Sequence, residues 1–492
     1  MINNHNIMSS IKDLEPKVVW NNFYSLTQIP RPSKHEEKVQ AFLYDWGKKH
    51  GIETIKDDTG NIIFRVPATP GYENRRGVIL QGHMDMVPQK VASSTHDFLN
   101  DPIETEILGD WVGAKGTTLG ADNGMGIALG MSVCESKDLK HGPIEVLATY
   151  DEETGMTGAQ NLKPGVLKGD ILINLDSEEE GELCIGCAGG LDAVADFEYK
   201  ELVAPEGYKP YKVSVKGLQG GHSGMDISLY RGNANKIVSK AIIDGMIDCG
   251  VKLADFFGGS LRNAIPFEAH AVILVPQDKE EEVLALIIKS LTNSKKCYAQ
   301  SDPDMDFCCE HCDKPAGYIE EQVAINALKA IIACPSGVIR MSQSMPGLTE
   351  TSTNLAIVRC NQGHLKVASL MRSALDSSKS ELAKRIGYIF ELAGAKVDFM
   401  GGYSGWIPKP DLPIIKVMKE TYKKIFDKDM KVFATHGGLE CALMGATYPN
   451  WEMVSIGPTI VHPHSPDERV KIDTVGMCWE YLKAVLENIP CK

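Results

Sequence analysis

The sequence contains no apolar run long enough to cross a membrane as a helix, and its first residues lack the basic region and apolar stretch of a secretion signal. Basic residues are few: 51 stand against 65 acidic ones, for a formal net charge of -14. Nucleic acids and membranes are therefore not expected as partners. The 13 cysteines have no regular spacing, which favours a reducing compartment over a disulfide framework. Together these absences predict a cytoplasmic protein.

The residues that are present are typical of a globular protein with more than one domain. Hydrophobic residues make up 43% and charged residues 24% of the 492 residues, which argues against a disordered chain. In the N-terminal part, helix-like segments alternate with short apolar runs rich in β-branched residues, at residues 62–66, 78–86, 144–150 and 171–175. This alternation predicts an α/β fold with a mixed, largely parallel sheet and flanking helices.

Two glycine-rich stretches divide the chain. Residues 187–190 read Cys-Ala-Gly-Gly, and Gly401, Gly402 and Gly405 form the second stretch. Strand-like and helix-like patterns are mixed between them. We therefore predict that residues 1–187 and 402–492 form one domain, and that residues 188–401 form an inserted α+β domain.

Acids and a histidine accumulate where the predicted strands end. They are His83 and Asp85 in run 78–86, Asp122 in a glycine-flanked loop, acids 151–153 after run 144–150, and Asp176 after run 171–175. Functional groups in a parallel sheet gather beyond the carboxyl ends of the strands, so we expect these side chains in one crevice. Massed acids repel one another unless a cation neutralises them, and oxygen with imidazole ligands suits zinc, manganese or cobalt.

The His-x-Asp spacing gives Asp85 a specific expected role. Residues two apart on a strand point to the same side. Asp85 can therefore accept a hydrogen bond from the ring nitrogen of His83 that does not bind metal. We expect Asp85 to support His83 within the catalytic site.

Longer stretches around these residues resemble a known family. GHMDMVP, LGADNGMG, DEETGMTGA, NLDSEEEGE, GGHSG and HPHSPDE are similar to motifs of the M20 family of co-catalytic zinc peptidases. TTLGADNGMG, SLMRSALDSS and THGGLECALM resemble its bacterial branch of cytosolic aminoacyl-histidine dipeptidases. The resemblance covers nearly the whole chain and departs from the family pattern at no metal or base position. It implies hydrolysis of dipeptides with a free amino terminus, with Xaa-His dipeptides preferred.

The resemblance also implies a metal centre with two zinc ions per chain, for which manganese or cobalt could substitute. Asp122 would bridge the ions. The remaining ligands would be His83 and Asp176 at one ion and Glu153 and His464 at the other. His464 is favoured over His462 because the family pattern places the ligand just before the Ser-Pro-Asp-Glu stretch.

Catalytic roles follow from the same resemblance. Glu152 would be the general base, taking a proton from a water between the ions and passing it to the leaving amine. His222, in a Gly-Gly-His-Ser-Gly turn, would stabilise the oxyanion. The family often holds the bond after the bridging aspartate in cis, so a cis Asp122–Asn123 bond is expected.

Substrate binding is assigned by resemblance to Asn263, Arg372 and Gly438. Arg372 would clamp the C-terminal carboxylate of the dipeptide, and Asn263 would hydrogen-bond its backbone. Arg372, Asn263 and His222 lie in the inserted domain, which would then close over the metals as a lid. A homodimer is expected, in which His222 could serve its own chain or the partner.

Two other functions stay open on the sequence. An aminoacylase, deacetylase or carboxypeptidase of the same family would share the metal chemistry but would need no pocket for a free amino terminus. A catalytically inactive binding protein would have lost a ligand or the base, and this sequence keeps them all. A panel of dipeptides, N-acyl amino acids and tripeptides separates the enzyme classes.

Overall fold

A computed structural model describes residues 10–492. The strands are β1 (Glu53–Lys56), β2 (Ile62–Val66), β3 (Val78–His83), β4 (Thr105–Leu108), β5 (Trp111–Ala114), β6 (Ile144–Thr149), β7 (Ile171–Asn174), β8 (Glu182–Cys187), β9 (Gly189–Glu198), β10 (Glu201–Val203), β11 (Tyr208–Lys216), β12 (Lys252–Gly258), β13 (Ala269–Pro276), β14 (Asp306–His311), β15 (Gly317–Ile319), β16 (Gly337–Met341), β17 (Thr349–Asn361), β18 (His364–Ser373), β19 (Lys396–Tyr403), β20 (Lys431–Thr435), β21 (Glu452–Ser455), β22 (Ile460–Val461) and β23 (Arg469–Lys471). The α-helices are α1 (Lys17–Thr27), α2 (Glu37–Lys49), α3 (Ala121–Glu135), α4 (Glu152–Gly155), α5 (Thr157–Gln160), α6 (Ala234–Cys249), α7 (Glu280–Cys297), α8 (Glu321–Ala333), α9 (Asp376–Leu392), α10 (Pro413–Phe426), α11 (Glu440–Thr447) and α12 (Ile472–Asn488). Short 3-10 helices occur at Ile11–Asp13, Ile227–Leu229 and Gln277–Lys279. No helix of this described part is long and apolar enough to cross a membrane.

The chain divides into two compact units. The first comprises the residues up to Gly186 with Lys409–Ala434 and Leu439–Lys492, and the second comprises Cys187–Pro408 with Thr435–Gly438. The expected boundaries were 187/188 and 401/402, whereas the units meet at 186/187 and 408/409 and the second unit has one additional segment. Thr435–Gly438 belongs with the second unit, because Gly437 accepts a backbone hydrogen bond from Ala188 at 3.0 Å.

The first unit is built around an eight-stranded sheet in the order β1-β2-β6-β3-β7-β21-β8-β20. Its centre is parallel, with β3 between β6 and β7 and with β21 beside β7. β3, β6 and β7 are buried along their whole length, as expected for apolar strands covered on both faces. The mixed sheet is thus confirmed, and its parallel part comprises β6, β3, β7 and β21, whereas β1 pairs antiparallel with β2 and β8 pairs antiparallel with β21. β2, however, runs antiparallel to β6.

Helix α3 begins within the glycine-flanked loop. Gly120 has a left-handed φ of 71°, and a Cβ on it would collide with the side chains of Arg31 and Met86. Asp122 and Asn123 depart from helical dihedral angles, and the bond between them is cis, as expected. The regular part of α3 then packs against β3 and α1. This arrangement holds Asp122 at the point where the loop becomes a helix.

The second unit contains an antiparallel sheet in the order β14-β11-β13-β12-β17-β18-β9-β19, with β16 paired to β17. Helices α6 and α9 pack against this sheet, and α7 and α8 pack against α6. α6 begins after Asn233, whose side chain accepts from the backbone N–H of Lys236, and ends at Gly250, where φ is 78°. The second unit therefore has an α+β architecture with its own core.

Candidate active site

Four segments of the first unit bring acids and one histidine to the carboxyl ends of the parallel strands. β3 ends at His83, α4 begins with Glu152 and Glu153 directly after β6, and Asp176 follows β7. Asp122 enters from the start of α3. The fold thus gathers the side chains that the sequence placed at separate strand ends.

His83 lies against two of these carboxylates. Its Nε2 is 3.0 Å from Oδ1 of Asp122 and 3.5 Å from Oδ1 of Asp176. Its other nitrogen, Nδ1, lies 3.2 Å from Oδ1 of Asp85. His83 and Asp85 are both buried. Asp85 therefore lies on the far side of the ring from Asp122, where it was expected to support His83.

His464 approaches the same aspartate from the opposite oxygen. Its Nε2 is 3.0 Å from Oδ2 of Asp122 and 3.1 Å from Oε2 of Glu153. The side chain of His462 forms no hydrogen bond or ion pair with residues 10–492, and only its carbonyl oxygen is engaged, by Ser465. Each carboxylate oxygen of Asp122 therefore contacts a different histidine. The Nε2 atom of each histidine also lies close to a second carboxylate, that of Asp176 for His83 and that of Glu153 for His464.

The charges of this cluster call for a cation. The pKa of Asp176 is raised to about 7, mainly by burial and further by the carboxylates of Asp122 and Glu153, while His83 acts against this shift. Hydrogen bonds to Asp122 and Glu153 raise the pKa of His464 to about 11. Burial by itself would raise the pKa of Asp122, yet its bonds to His464 and His83 lower it. Positive charge between these side chains is thus strongly favoured.

The donor atoms fit divalent cations. Ligand atoms of His83, Asp122 and Glu153 all lie within 4.8 Å of one another. Two ligands of one tetrahedral ion with bonds of about 2.1 Å are separated by about 3.4 Å. The nitrogen–oxygen distances around Asp122 run from 3.0 to 3.5 Å. In addition, Oε1 of Glu153 is buried without a hydrogen-bond partner among residues 10–492.

Glu152 lies beside this cluster, and its carboxylate makes no hydrogen bond to a side chain in the described part of the chain. Burial raises the pKa of Glu152 well above its ordinary value, and the charges of Glu440, Asp176 and Glu153 add to the shift. A carboxylate with a raised pKa in such a cluster is suited to accept a proton and to return it.

Two side chains that sequence reasoning missed hold the loop of Asp122. Glu468 is buried and accepts backbone N–H groups of Leu119, Gly120 and Asp122 at 2.8, 3.0 and 3.1 Å. Arg31 is also buried and donates to the carbonyl oxygens of Met84 at 3.1 Å, of Asp85 at 2.9 Å, and of Gly120 at 2.5 Å. Glu468 ends the HPHSPDE stretch, so the motif itself contained the signal for it.

His222 lies in the second unit with its ring orientation defined by the backbone. Its Nδ1 accepts the N–H groups of Gly224 and Met225, both at 3.2 Å. Burial lowers the pKa of His222, with Arg372 adding to the effect. A neutral ring that accepts at Nδ1 carries its proton on Nε2. His222 therefore presents an N–H donor, as an oxyanion-stabilising group requires.

Arg372 is a buried cation of the second unit without an anionic partner. It is 5% exposed, and its guanidinium forms no ion pair among residues 10–492. It reaches only Oγ of Ser223 at 3.3 Å and the hydroxyl of Tyr403 at 3.4 Å. A buried guanidinium with two long bonds to neutral groups is suited to bind a carboxylate.

Gly438 and Asn263 belong to the second unit as well. A Cβ on Gly438 would come within 2.9 Å of the Tyr403 hydroxyl, so only glycine leaves room beside it. Asn263 is exposed, and its carbonyl oxygen accepts from the N–H of Ser223 at 2.8 Å. Tyr403 and Ser223 were not predicted as site residues, although Ser223 lies within the GGHSG stretch and Tyr403 lies between Gly402 and Gly405.

Comparison with known proteins adds an independent finding. The sequence model of a family described as "Peptidase family M20/M25/M40" matches residues 79–488. The chain is 41% identical over 490 residues to a protein of Escherichia coli named cytosol non-specific dipeptidase, with 99% of this chain and 100% of that protein covered.

The chain also resembles solved structures of peptidases. An aminoacylhistidine dipeptidase from Vibrio alginolyticus superimposes with a TM-score of 0.93 at 44% identity, covering 99% of both chains. An aminopeptidase PepT from Bacillus cereus matches with a TM-score of 0.57 at 17% identity, covering 97% of this chain and 99% of that one. The second likeness concerns the fold alone.

Proposed function

The chain belongs to peptidase family M20/M25/M40, and we propose that it is a metal-dependent dipeptidase with two divalent cations at Asp122. The observation that carries this proposal is the division of the Asp122 carboxylate between two histidines, each at 3.0 Å. His83 with Asp176 would complete one metal site, and His464 with Glu153 the other. This grouping follows the contacts of the two rings.

The cations would supply Lewis acidity toward the substrate carbonyl and toward a water. Glu152 acts as the general base: it takes a proton from the attacking water and later passes this proton to the leaving amine. Its raised pKa and the absence of a side-chain hydrogen bond support this role. Asp85 keeps the ring of His83 oriented from the side opposite Asp122.

Residues of the second unit recognise the substrate. Arg372 binds the C-terminal carboxylate, and the buried, unpaired state of its guanidinium supports this assignment. His222 donates its Nε2 proton to the oxyanion, and Asn263 and Gly438 line the path of the substrate backbone. The second unit would thus act as the substrate-binding lid.

The metal and the assembly are further parts of the proposal. We favour zinc, because imidazole and carboxylate ligands suit it, with manganese or cobalt as substitutes. A homodimer and a cytosolic location are also proposed. The name of the Escherichia coli relative supports that location.

The substrate class is dipeptides with a free amino terminus, with Xaa-His dipeptides preferred. One relative is named a non-specific dipeptidase and the other an aminoacylhistidine dipeptidase, so the breadth of this preference is the point to measure. The purified chain should contain about two zinc ions by mass spectrometry and should hydrolyse Xaa-His and other dipeptides. It should leave N-acyl amino acids and tripeptides largely intact. Chelation should abolish activity, and added zinc should restore it.

A matched pair of variants sharpens this test. Asp176→Asn should lose one metal ion, whereas Glu179→Gln, at an exposed acid three residues away, should keep both. Full activity in the chelated protein would contradict a metal-dependent mechanism. Faster hydrolysis of N-acyl amino acids than of dipeptides would instead favour the aminoacylase alternative.

A further inference from the structure

Five buried polar side chains lie close behind the candidate ligands His83 and Asp176. They come from the carboxyl ends of four neighbouring strands and from the start of α11, and each is at most 2% exposed: Gln81, Thr149, Asn174, Glu440 and Ser455. Polar groups are costly to bury unless they are hydrogen-bonded, so their presence in an otherwise apolar sheet indicates a specific role.

These side chains form a connected network. Gln81 donates from Nε2 to Oε2 of Glu440 at 2.7 Å and accepts at Oε1 from Nδ2 of Asn174 at 2.6 Å. Asn174 in turn accepts the backbone N–H of Asp176 at 3.2 Å and the hydroxyl of Ser455 at 2.5 Å. A chain of three hydrogen bonds therefore links the Glu440 carboxylate to the backbone of a candidate ligand.

The network also connects to the strand of His83. Gln81 precedes His83 by two residues on β3, so both side chains lie on the same face of that strand. Thr149, at the end of β6, donates to the same oxygen of Glu440 at 2.8 Å. Glu440 thus ties β3 to β6 directly and to β7 through Gln81.

Glu440 is the one acid among these five side chains, and only one of its two carboxylate oxygens is hydrogen-bonded within residues 10–492. Its Oε1 is buried and has no hydrogen-bond partner among residues 10–492. Its other oxygen, Oε2, bonds to Gln81 on the strand of His83, and Gln81 leads through Asn174 to the backbone of Asp176. Glu440 is therefore linked to the half of the candidate metal centre that His83 and Asp176 would form.

We propose that Glu440 is a positioning residue for the His83–Asp176 half of the metal centre. Through Gln81 and Asn174 it fixes the spacing between the ends of β3 and β7, and its carboxylate adds negative charge behind that cation. The inference rests on the proposed metal-binding function. Groups that orient metal ligands from behind typically contribute about 10–100-fold in metal affinity.

Zinc titration of the metal-free chain tests this role. The affinity of each binding step is measured with a competing chromophoric chelator, and the step lost in Asp176→Asn identifies the His83–Asp176 site. Glu440→Gln should weaken that step by about 10–100-fold and change the other by less than about threefold. Gln81→Met, which keeps the charge of Glu440 and cuts the network, should weaken the same step.

Glu145 provides the matched control. It is a buried acid near the opposite end of β6, where it binds Nε of Arg65 at 3.0 Å and the N–H of Lys168 at 2.6 Å. Glu145→Gln should lower the melting temperature of the metal-free chain without a selective effect on either zinc step. The proposal is overturned if Glu440→Gln and Gln81→Met leave both steps unchanged, or if they weaken both steps equally. A wild-type chain that binds no zinc would instead refute the proposed function.

Discussion

Glu152 and Glu153 are adjacent in the chain, yet their carboxylates have different surroundings. Glu153 meets His464 at 3.1 Å, whereas Glu152 makes no side-chain hydrogen bond within residues 10–492. We expect Glu152→Gln to keep both metal ions and to lower kcat by about 10²–10⁴-fold, the typical contribution of a general base. Glu153→Gln should lose one ion. Metal content by mass spectrometry, combined with kcat, checks this, and an equal loss of metal in both variants would contradict the separation of roles.

Arg372 gives a second prediction for a single residue. If its guanidinium binds the substrate carboxylate, Arg372→Gln should lower kcat/KM for dipeptides by about 100-fold, mainly through KM, because a charge-assisted hydrogen-bonded pair is lost. Dipeptide amides, which lack that carboxylate, should be hydrolysed equally by wild type and variant. Arg359→Gln, at an exposed arginine on β17, is the control and should behave as wild type. An equal loss for dipeptides and amides would show that Arg372 does not read the carboxylate.

His436 predicts how acid affects stability. Burial, with the nearby charge of Arg372, lowers the pKa of His436 to about 3, while its Nε2 pairs with Oγ of Ser352 at 2.7 Å. An unfolded histidine titrates near 6.5, so below about pH 6.5 the unfolded chain binds a proton that the folded chain does not. The free energy of unfolding therefore falls as the pH falls through this window. Between pH 6.5 and 5 the contribution is at most about 2 kcal/mol.

Denaturation of wild type and His436→Gln at pH 7.5 and pH 5 measures this effect. The variant should lose less unfolding free energy on acidification than the wild type does. His311→Gln, at an exposed histidine of the same unit, is the control and should lose as much unfolding free energy on acidification as the wild type does. An unchanged pH dependence in His436→Gln would show that this ring does not contribute to acid lability.

Among the structural elements, the loop that leads into α3 depends on one side chain. Glu468 accepts three backbone N–H groups of this loop, including that of Asp122. Glu468→Ala should leave these groups without an acceptor, lower the melting temperature, and weaken metal binding at both proposed sites, because Asp122 would serve both of them. Asp467→Asn, at the exposed neighbour, is the control. Selective loss of a single ion in Glu468→Ala would contradict this view of the loop.

The sequence predicted the strand ends well because their signal is local. The runs predicted at residues 78–86, 144–150 and 171–175 correspond to β3, β6 and β7 within a few residues at their ends. Burial on both faces selects apolar β-branched residues, and this selection can be read in a single sequence. The family motifs then gave the fold and the family itself.

Features that depend on distant pairing could not be read in the same way. An apolar run does not specify strand direction, so the antiparallel pairing of β2 with β6 left no local sign. Glu440 reaches Gln81 across 359 positions of the chain, and nothing in either local pattern indicates that contact. The return of Thr435–Gly438 to the second unit was missed for the same reason.

At the scale of the whole molecule, the proposed metal centre draws its ligands from the first unit alone, while the second unit has a core of its own. A ligand at about 100 times its dissociation constant stabilises the folded state that binds it by about 2.7 kcal/mol. Removing the cations should therefore loosen the segments that carry the ligands, because the massed carboxylates lose their counter-charge. Strands β17 and β18 carry no metal ligand, so their backbone amides should stay protected from hydrogen exchange.

Hydrogen exchange measured by mass spectrometry, with and without a chelator, checks this expectation. Exchange should rise in peptides that contain His83, Asp122 or Asp176 and should stay constant in peptides from β17 and β18. The variant Asp176→Asn should show part of the same rise without any chelator, and further chelation should add less to it than to wild type. A uniform rise in exchange across both units would contradict this expectation. It would mean that the cations stabilise the whole chain cooperatively, because removing them from the first unit would also expose amides of β17 and β18, which carry no metal ligand.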